Sequence, residues 1–298
     1  MGLKNMFSKV KQEGYVKKAI DTYLLSLNAT DNDRAMNVNA PSAIGSCLRA
    51  RYYSRVGTPK DGSITARTRR IFDNGTYTHI RLQDYLKAEG ILLADEIPVV
   101  NDHYNIQGHT DGVLQIAENE VAILEIKSIN NKGFTELKDI KPEHKRQGLI
   151  YAFCLEQRRL ELKKQYKNVL AFNLSAKTRA KEVTKRYEYF VDGHKFTRQQ
   201  KIDYQVQLHN TIDKILFKTE KPIDKVVFLY EDKDNQELKE FILNTNSSEG
   251  KAILNEMLNE CEYLNDCVAD KNIPEREGRN KSDQMCRWCD YKNQCWVV

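Results

Sequence analysis

A chain of 298 residues can bury a large core, as one elaborated domain or as two. With 40% hydrophobic and 30% charged residues it reads as soluble and globular, which excludes a disordered or membrane-embedded chain. No apolar run approaches the roughly 20 residues that span a bilayer, and the first residues lack a secretory signal core, so a cytoplasmic location is expected. The net charge of +5 is modest but unevenly spread. Arg49, Arg51, Arg55, Lys60, Arg67, Arg69 and Arg70 crowd a stretch whose only acid is Asp61, and a second basic excess lies between Lys132 and Lys221. Both fit a phosphate-backbone partner.

In chain order, residues 1–25 carry an amphipathic basic helix pattern (Met6, Val10, Tyr15, Val16, Ile20), and residues 28–41 a polar loop. Ser42 is an N-cap candidate for a helix bearing Cys47. Residues 64–89 read as a long helix carrying His79, with Ile71, Phe72, Ile80, Leu82 and Leu86 as candidate core positions. Residues 91–100 form a strand in which Glu96 is read as an exposed position rather than an accessory acid.

A hairpin follows, with residues 112–116 on one strand and residues 121–127 on the other. If its loop holds three residues, Val121 pairs with Gln115 and Asp111 comes opposite Glu125. Side chains alternate across a strand, so Glu125 and Lys127 share one face while Leu124 and Ile126 occupy the other. A charged pair in so apolar a strand is costly unless a cation and an anionic substrate compensate it. Two carboxylates and a lysine at one end of a hairpin are the makings of a divalent-metal site.

Residues 135–155 then read as a helix with Pro142 near the start of its main part; Gln147 and Tyr151 stand four apart on one face of it. Residues 157–222 have the character of an insertion, with strand-like pieces at 169–174 and 187–191 and a helix at 196–217. Residues 226–229 and 238–243 bracket the turn Asp234-Asn235 in a second hairpin, and residues 248–269 are helical. There is no internal repeat. Helices flanking a small mixed sheet make an α/β fold, divided as residues 1–41 (helix and loop) and 42–298 (the main domain).

The chain has seven cysteines, and in an intracellular setting they favour metal over disulfides. Cys286, Cys289 and Cys295 form a Cys-x2-Cys-x5-Cys run, and Cys47 stands far upstream. Four thiolates suit zinc or an iron–sulfur cluster, and the spacing does not choose between them. Cys154, Cys261 and Cys267 are read as core residues.

Taken together, these pieces resemble the PD-(D/E)XK nucleases, and within them the RecB-like branch. Asn74-Gly75-Thr76-Tyr77-Thr78-His79 is similar to a Gly-x-x-x-His helix, Asp111 to the first acidic motif, Glu125-Ile126-Lys127 to Glu-x-Lys, and Gln147-Gly148-Leu149-Ile150-Tyr151 to Gln-x-x-x-Tyr. The likeness runs from about Ser42 to Trp296, poorly between about Gln157 and Pro222. It implies that His79, Asp111, Glu125 and the main-chain carbonyl of Ile126 hold one or two Mg²⁺ or Mn²⁺ ions, and that Lys127, Gln147 and Tyr151 act on a phosphodiester. It also implies that Cys47, Cys286, Cys289 and Cys295 hold a [4Fe–4S] cluster, as in AddB-type and CRISPR-associated nucleases. The activity implied is that of a DNA exonuclease on strand or duplex ends in phage or bacterial DNA processing, recombination or repair. No Gly-x-x-x-x-Gly-Lys-Ser/Thr motif is present, so a helicase or recombination partner would supply unwinding. Two other readings stay open: a catalytically silent DNA-binding scaffold, and a zinc-stapled RNA-processing nuclease.

Overall fold

A computed structural model describes residues 14–29, 37–187, 198–278 and 280–297. Its centre is a five-stranded sheet in the order β1-β2-β3-β4-β5, formed by Leu92–Asn101, Ile106–Ala117, Glu120–Ile129, Lys225–Asp232 and Leu238–Asn244. All neighbours are antiparallel except β3 and β4. Parallel neighbours need a long crossover, and the segment from residue 130 to 224 supplies it: α4 (Asn131–Glu136), α5 (Pro142–Gln165), α6 (Val169–Leu174), α7 (Ala176–Tyr187) and α8 (Arg198–Lys218). β1 is an edge strand and tolerates Pro98 there.

The two faces of the sheet separate as strand alternation requires. Val121 and Ile123 join the larger core with Leu149, Ile150 and Tyr151 of α5. Ala122, Leu124 and Ile126 face the other way and pack with Leu82 of α3 (Ala66–Ala88). Gly148 lets α5 approach β4: a Cβ there would stand 2.7 Å from the Phe228 ring. The far end of the molecule is closed by α2 (Leu48–Arg55) against α9 (Ser248–Ala269), with two short helices beyond, α10 (Gln284–Arg287) and α11 (Lys292–Cys295).

Several expectations need correction. Ser42 caps nothing: the helix after it begins at Leu48, and Cys47 itself occupies the N-cap position. The helix over 135–155 is broken, because α4 ends at Glu136 and a new helix starts at Pro142, whose ring fits the first helical turn. α5 then runs unbroken through residue 157 to Gln165, so the extra segment begins beyond the expected boundary. Residues 169–174 are helical; the Asn168 side chain accepts from Ala171 N–H, and Leu and Ala outweigh the single β-branched Val169. The strand expected at 187–191 falls outside the described residues from 188 onward, and Tyr187 ends α7. Of the helix expected over 1–25, α1 covers Tyr15–Ser26, and residues 1–13 lie outside the described residues.

On α3, Leu82 is buried and Leu86 packs beside it, but Ile71, Phe72 and Ile80 are exposed. On this 23-residue helix the polar contacts with the sheet come from Thr78, His79, Arg81, Gln83 and Lys87, all beyond Ile71 and Phe72. Three members of the basic cluster are also reassigned, while Lys60, Arg67 and Arg70 are exposed. Arg49, Arg51 and Arg55 are buried; Arg51 pairs with Glu260, Arg55 donates to Asn37 and Asn265, and Arg49 donates to the Pro274 carbonyl. Arg51 and Arg55 tie α2 to α9, and Arg49 ties it to the segment that follows, instead of facing a phosphate backbone.

Candidate active site

Gln115 pairs with Val121, the expected register, although the turn itself is tighter: Ala117 pairs with Glu120 around Glu118-Asn119, and a bulge at Ile116 takes up the difference. The ladder runs to Gly112 opposite Leu124 and stops there. One step further Asp111 would pair with Glu125. Instead the strands part, and the Asp111 carboxylate accepts the Ile126 N–H at 2.6 Å. This opening gives helices from both faces of the sheet access to one point.

From one face, α3 brings His79, whose Nδ1 lies 3.2 Å from Asp111 Oδ1. From the other, α5 brings Gln147 and Tyr151. Lys127 Nζ donates to Glu125 Oε2 at 2.7 Å and to Gln147 Oε1 at 3.1 Å, and Gln147 Nε2 donates to the Tyr151 hydroxyl at 2.9 Å. The chain Glu125–Lys127–Gln147–Tyr151 is therefore continuous. His79, Asp111, Glu125, Lys127, Gln147 and Tyr151 all meet at one end of the sheet. Ile126 contributes its N–H to Asp111, while its side chain is buried on the opposite face.

The electrostatics follow from depth. Glu125 is 1% exposed, and burial first, then the Asp111 charge, pushes its carboxyl up to about 7 against the pull of Lys127 and Thr110. Burial alone would lower Lys127, but the charges of Glu125 and Asp111 outweigh it and the ammonium is stabilised. Burial likewise works against a charged His79, and the Asp111 carboxylate more than offsets it. With Glu125 ionised, the two carboxylates carry one more charge than the Lys127 ammonium balances.

Three supporting residues gave little signal in the sequence. Thr110 Oγ1 lies 3.0 Å from both Glu125 Oε1 and the Leu124 carbonyl and braces the buried acid. Gln83, one turn after His79 on α3, donates to the Asp111 carbonyl at 2.8 Å and to Glu96 Oε1 at 3.2 Å. Glu96 is exposed as expected. Yet it sits between the pairs Asp95–Gly112 and Ile97–Thr110, hence across from Asp111, with a left-handed φ of +49° that a non-glycine residue rarely adopts. No periodicity marks such a position.

The donor chemistry of Asp111, Glu125 and His79, two carboxylates and an imidazole, fits Mg²⁺ or Mn²⁺. In the described residues these groups bond to their neighbours, and no three His, Cys, Asp or Glu side chains gather as a metal shell. A metal held by Glu125 and His79 would have to displace their protons, both kept to higher pH than usual. We expect Mn²⁺ affinity, measured by calorimetry, to fall by about tenfold or more per pH unit below 7, as Glu125 and His79 take up protons. A flat affinity between pH 8 and 6 would exclude these two ligands.

At the other end of the molecule, Cys47, Cys286, Cys289 and Cys295 line one cavity between α2 and the C-terminal helices. Burial raises the Cys289 thiol, and Cys286 and Cys295 act on it in the same direction, so the sulfurs are within electrostatic reach. Cys154, Cys261 and Cys267 are buried in the core as expected. Trp288 on the same C-terminal segment is exposed. Among the described residues no helix is long and apolar enough to cross a membrane.

A mixed sheet carrying Asp111 and Glu125-x-Lys127 at its open end, with Gln147 presented by the crossover helix, defines the nuclease class built on this core. The family model described as the PD-(D/E)XK nuclease superfamily matches residues 39–296, and the chain belongs to that superfamily. No curated protein matches it. Among solved structures the chain is similar to the one described as the crystal structure of SSO0001, at 12% identity and a TM-score of 0.46, over 95% of this chain and 97% of that one.

Proposed function

We propose that this protein is a metal-dependent DNA exonuclease of the RecB-like branch, with a four-cysteine [4Fe–4S] staple closing its fold. The observation that carries the catalytic part is the unbroken Glu125–Lys127–Gln147 chain beside the Asp111–His79 pair. Asp111, Glu125 and His79 would hold one or two Mg²⁺ or Mn²⁺ ions, which supply Lewis-acid polarisation of the phosphate and a water of lowered pKa. The remaining work belongs to the side chains. Lys127, fully charged and fixed between Glu125 and Gln147, orients the attacking water and stabilises charge on the non-bridging oxygens. Gln147 and Tyr151 set the position of Lys127. The Ile126 N–H fixes one oxygen of Asp111.

The staple reading rests on four cysteines around one cavity, together with the resemblance of their spacing. Zinc is the alternative occupant. We place the activity in DNA-end processing in the cytoplasm of a bacterial or phage-infected cell, with a separate helicase or recombination protein supplying single strands.

The test is purified protein with end-labelled single- and double-stranded DNA and matched RNA, in Mn²⁺ or Mg²⁺. A ladder growing from one DNA end, abolished by EDTA and restored by metal, is expected. Internal cuts, or preference for RNA, would replace the exonuclease reading, and cleavage that survives chelation would overturn the metal centre itself.

A further inference from the structure

His144 lies on α5 three residues before Gln147 and seven before Tyr151, so the three share one face of the helix. At about 1.5 Å of rise per residue, His144 stands about 4.5 Å along the helix axis from Gln147, whose amide holds Lys127. The sheet supplies its anchor. Lys127 pairs with Tyr230 in the parallel β3–β4 register, and Tyr230 is fully buried in the core that α5 covers. Its hydroxyl emerges at the start of α5, where His144 Nδ1 meets it at 2.8 Å.

The protons can be counted. Tyr230 Oη accepts the Lys141 main-chain N–H at 3.3 Å, so that hydrogen bond uses an oxygen lone pair and leaves the phenolic proton free. Burial pushes the phenol up to about 12, so that proton stays on oxygen. Its available acceptor is His144 Nδ1, which must therefore be bare. The imidazole proton is then on Nε2. Burial and the nearby Lys127 charge hold the ring neutral, down to about 4. His144 is only partly buried, and its Nε2 has no hydrogen-bond partner among the described residues. A neutral, orientation-locked N–H donor thus stands beside the reacting centre with nothing in the protein to receive it.

We propose that His144 donates its Nε2–H to a non-bridging oxygen of the phosphate flanking the scissile one, with Tyr230 as the positioning residue that fixes the tautomer. This rests on the nuclease reading above. A contact to a neighbouring phosphate sets the register of the strand without reading its sequence.

The test compares His144→Ala, His144→Gln and Tyr230→Phe on a labelled oligonucleotide in Mn²⁺, with thermal midpoints as the folding control. His144→Ala should raise KM about tenfold and change kcat much less, the mark of a contact made in ground and transition states alike. His144→Gln keeps a donor at similar reach and should recover most of the loss. Tyr230→Phe should raise KM in the same direction, because the freed ring can place its proton on either nitrogen. A methylphosphonate next to the scissile bond should weaken the wild type and leave His144→Ala nearly unaffected. If the wild type cleaves and His144→Ala keeps its KM with a normal thermal midpoint, the inference fails while the nuclease reading stands. The inference also fails if both His144 variants lose KM equally and the methylphosphonate penalty is the same in wild type and variants, since His144 would then serve only packing. A wild type that cleaves nothing overturns the nuclease reading, and this inference with it.

Discussion

Replacing Asp111, Glu125 or Lys127 by Ala should each lower DNA cleavage at least about a thousandfold. The acids act through the bound metal and the lysine through the reacting phosphate, so all three serve one transition state. The losses should not add: Asp111→Ala combined with Glu125→Ala should be little worse than either alone. The two ends of the Glu125–Lys127 pair differ in what they leave behind. Glu125→Ala strands an ammonium whose side chain is 17% exposed, whereas Lys127→Ala strands a carboxylate that is 1% exposed. An uncompensated buried charge is destabilising, but Glu125 escapes by keeping a proton, because its carboxyl is already raised to about 7 and Lys127→Ala removes the charge that pulls it down. Lys127→Ala should therefore fold well and bind DNA, and is the better inactive variant for binding studies. Cleavage rates and fluorescence anisotropy on the same preparations check both statements. Full activity in Glu125→Ala would sink the nuclease assignment.

The second large effect is expected at the cysteines. Cys47→Ala, Cys286→Ala, Cys289→Ala and Cys295→Ala should each lose the brown colour of an iron–sulfur protein and lower the thermal midpoint by about 5–10 °C, the size of a loss of about 3 kcal/mol in a chain this long. The reason is topological. Cys47 stands at the start of α2, Cys286 on α10, Cys295 on α11 and Cys289 between those two, so one cluster closes a loop through nearly the whole sequence. Closing so long a loop removes much freedom from the unfolded chain. Cys154, Cys261 and Cys267 changed to Ser should keep the colour, since they are packed elsewhere in the core. Loss of cleavage in the first set should track unfolding, because the cysteine cavity and the Asp111–Glu125–Lys127 centre share no residue. Iron and sulfide analysis on anaerobic protein decides the metal. One zinc and no iron would replace the cluster by a zinc site, and a brown Cys47→Ala protein would remove that residue from the ligands.

The strands were readable where local pattern and turn chemistry agree. The alternation of Leu124 and Ile126 with Glu125 and Lys127 separates the two faces of β3, and the two cores confirm it. Asp234-Asn235 marked the β4–β5 turn for the same reason. Errors fell where a short segment had no partner to declare its state. Residues 169–174 carry as much apolar character as a strand, and what makes them helical is the Asn168 cap and the packing of Phe172 on Phe217, a contact across 45 positions that no local window contains.

The sequence by itself determined which chemical groups this protein owns and their order: a histidine, two acids, a lysine, and a Gln-x-x-x-Tyr pair. Spacing within single elements then fixed which of them share a strand face or a helix face. Tertiary structure decided everything that depends on where elements meet. The parting of β2 and β3 beyond Gly112 lets α3 and α5 converge from opposite faces on Asp111 and Lys127. Only the fold shows that Arg49, Arg51 and Arg55 are spent inside the protein, because a guanidinium is solvated or buried according to residues more than 200 positions away, such as Glu260. The Tyr230–His144 bond belongs to the same class, set by a β3–β4 register across a long crossover. Periodicity is a property of one segment, and a site assembled from five segments is a property of their packing.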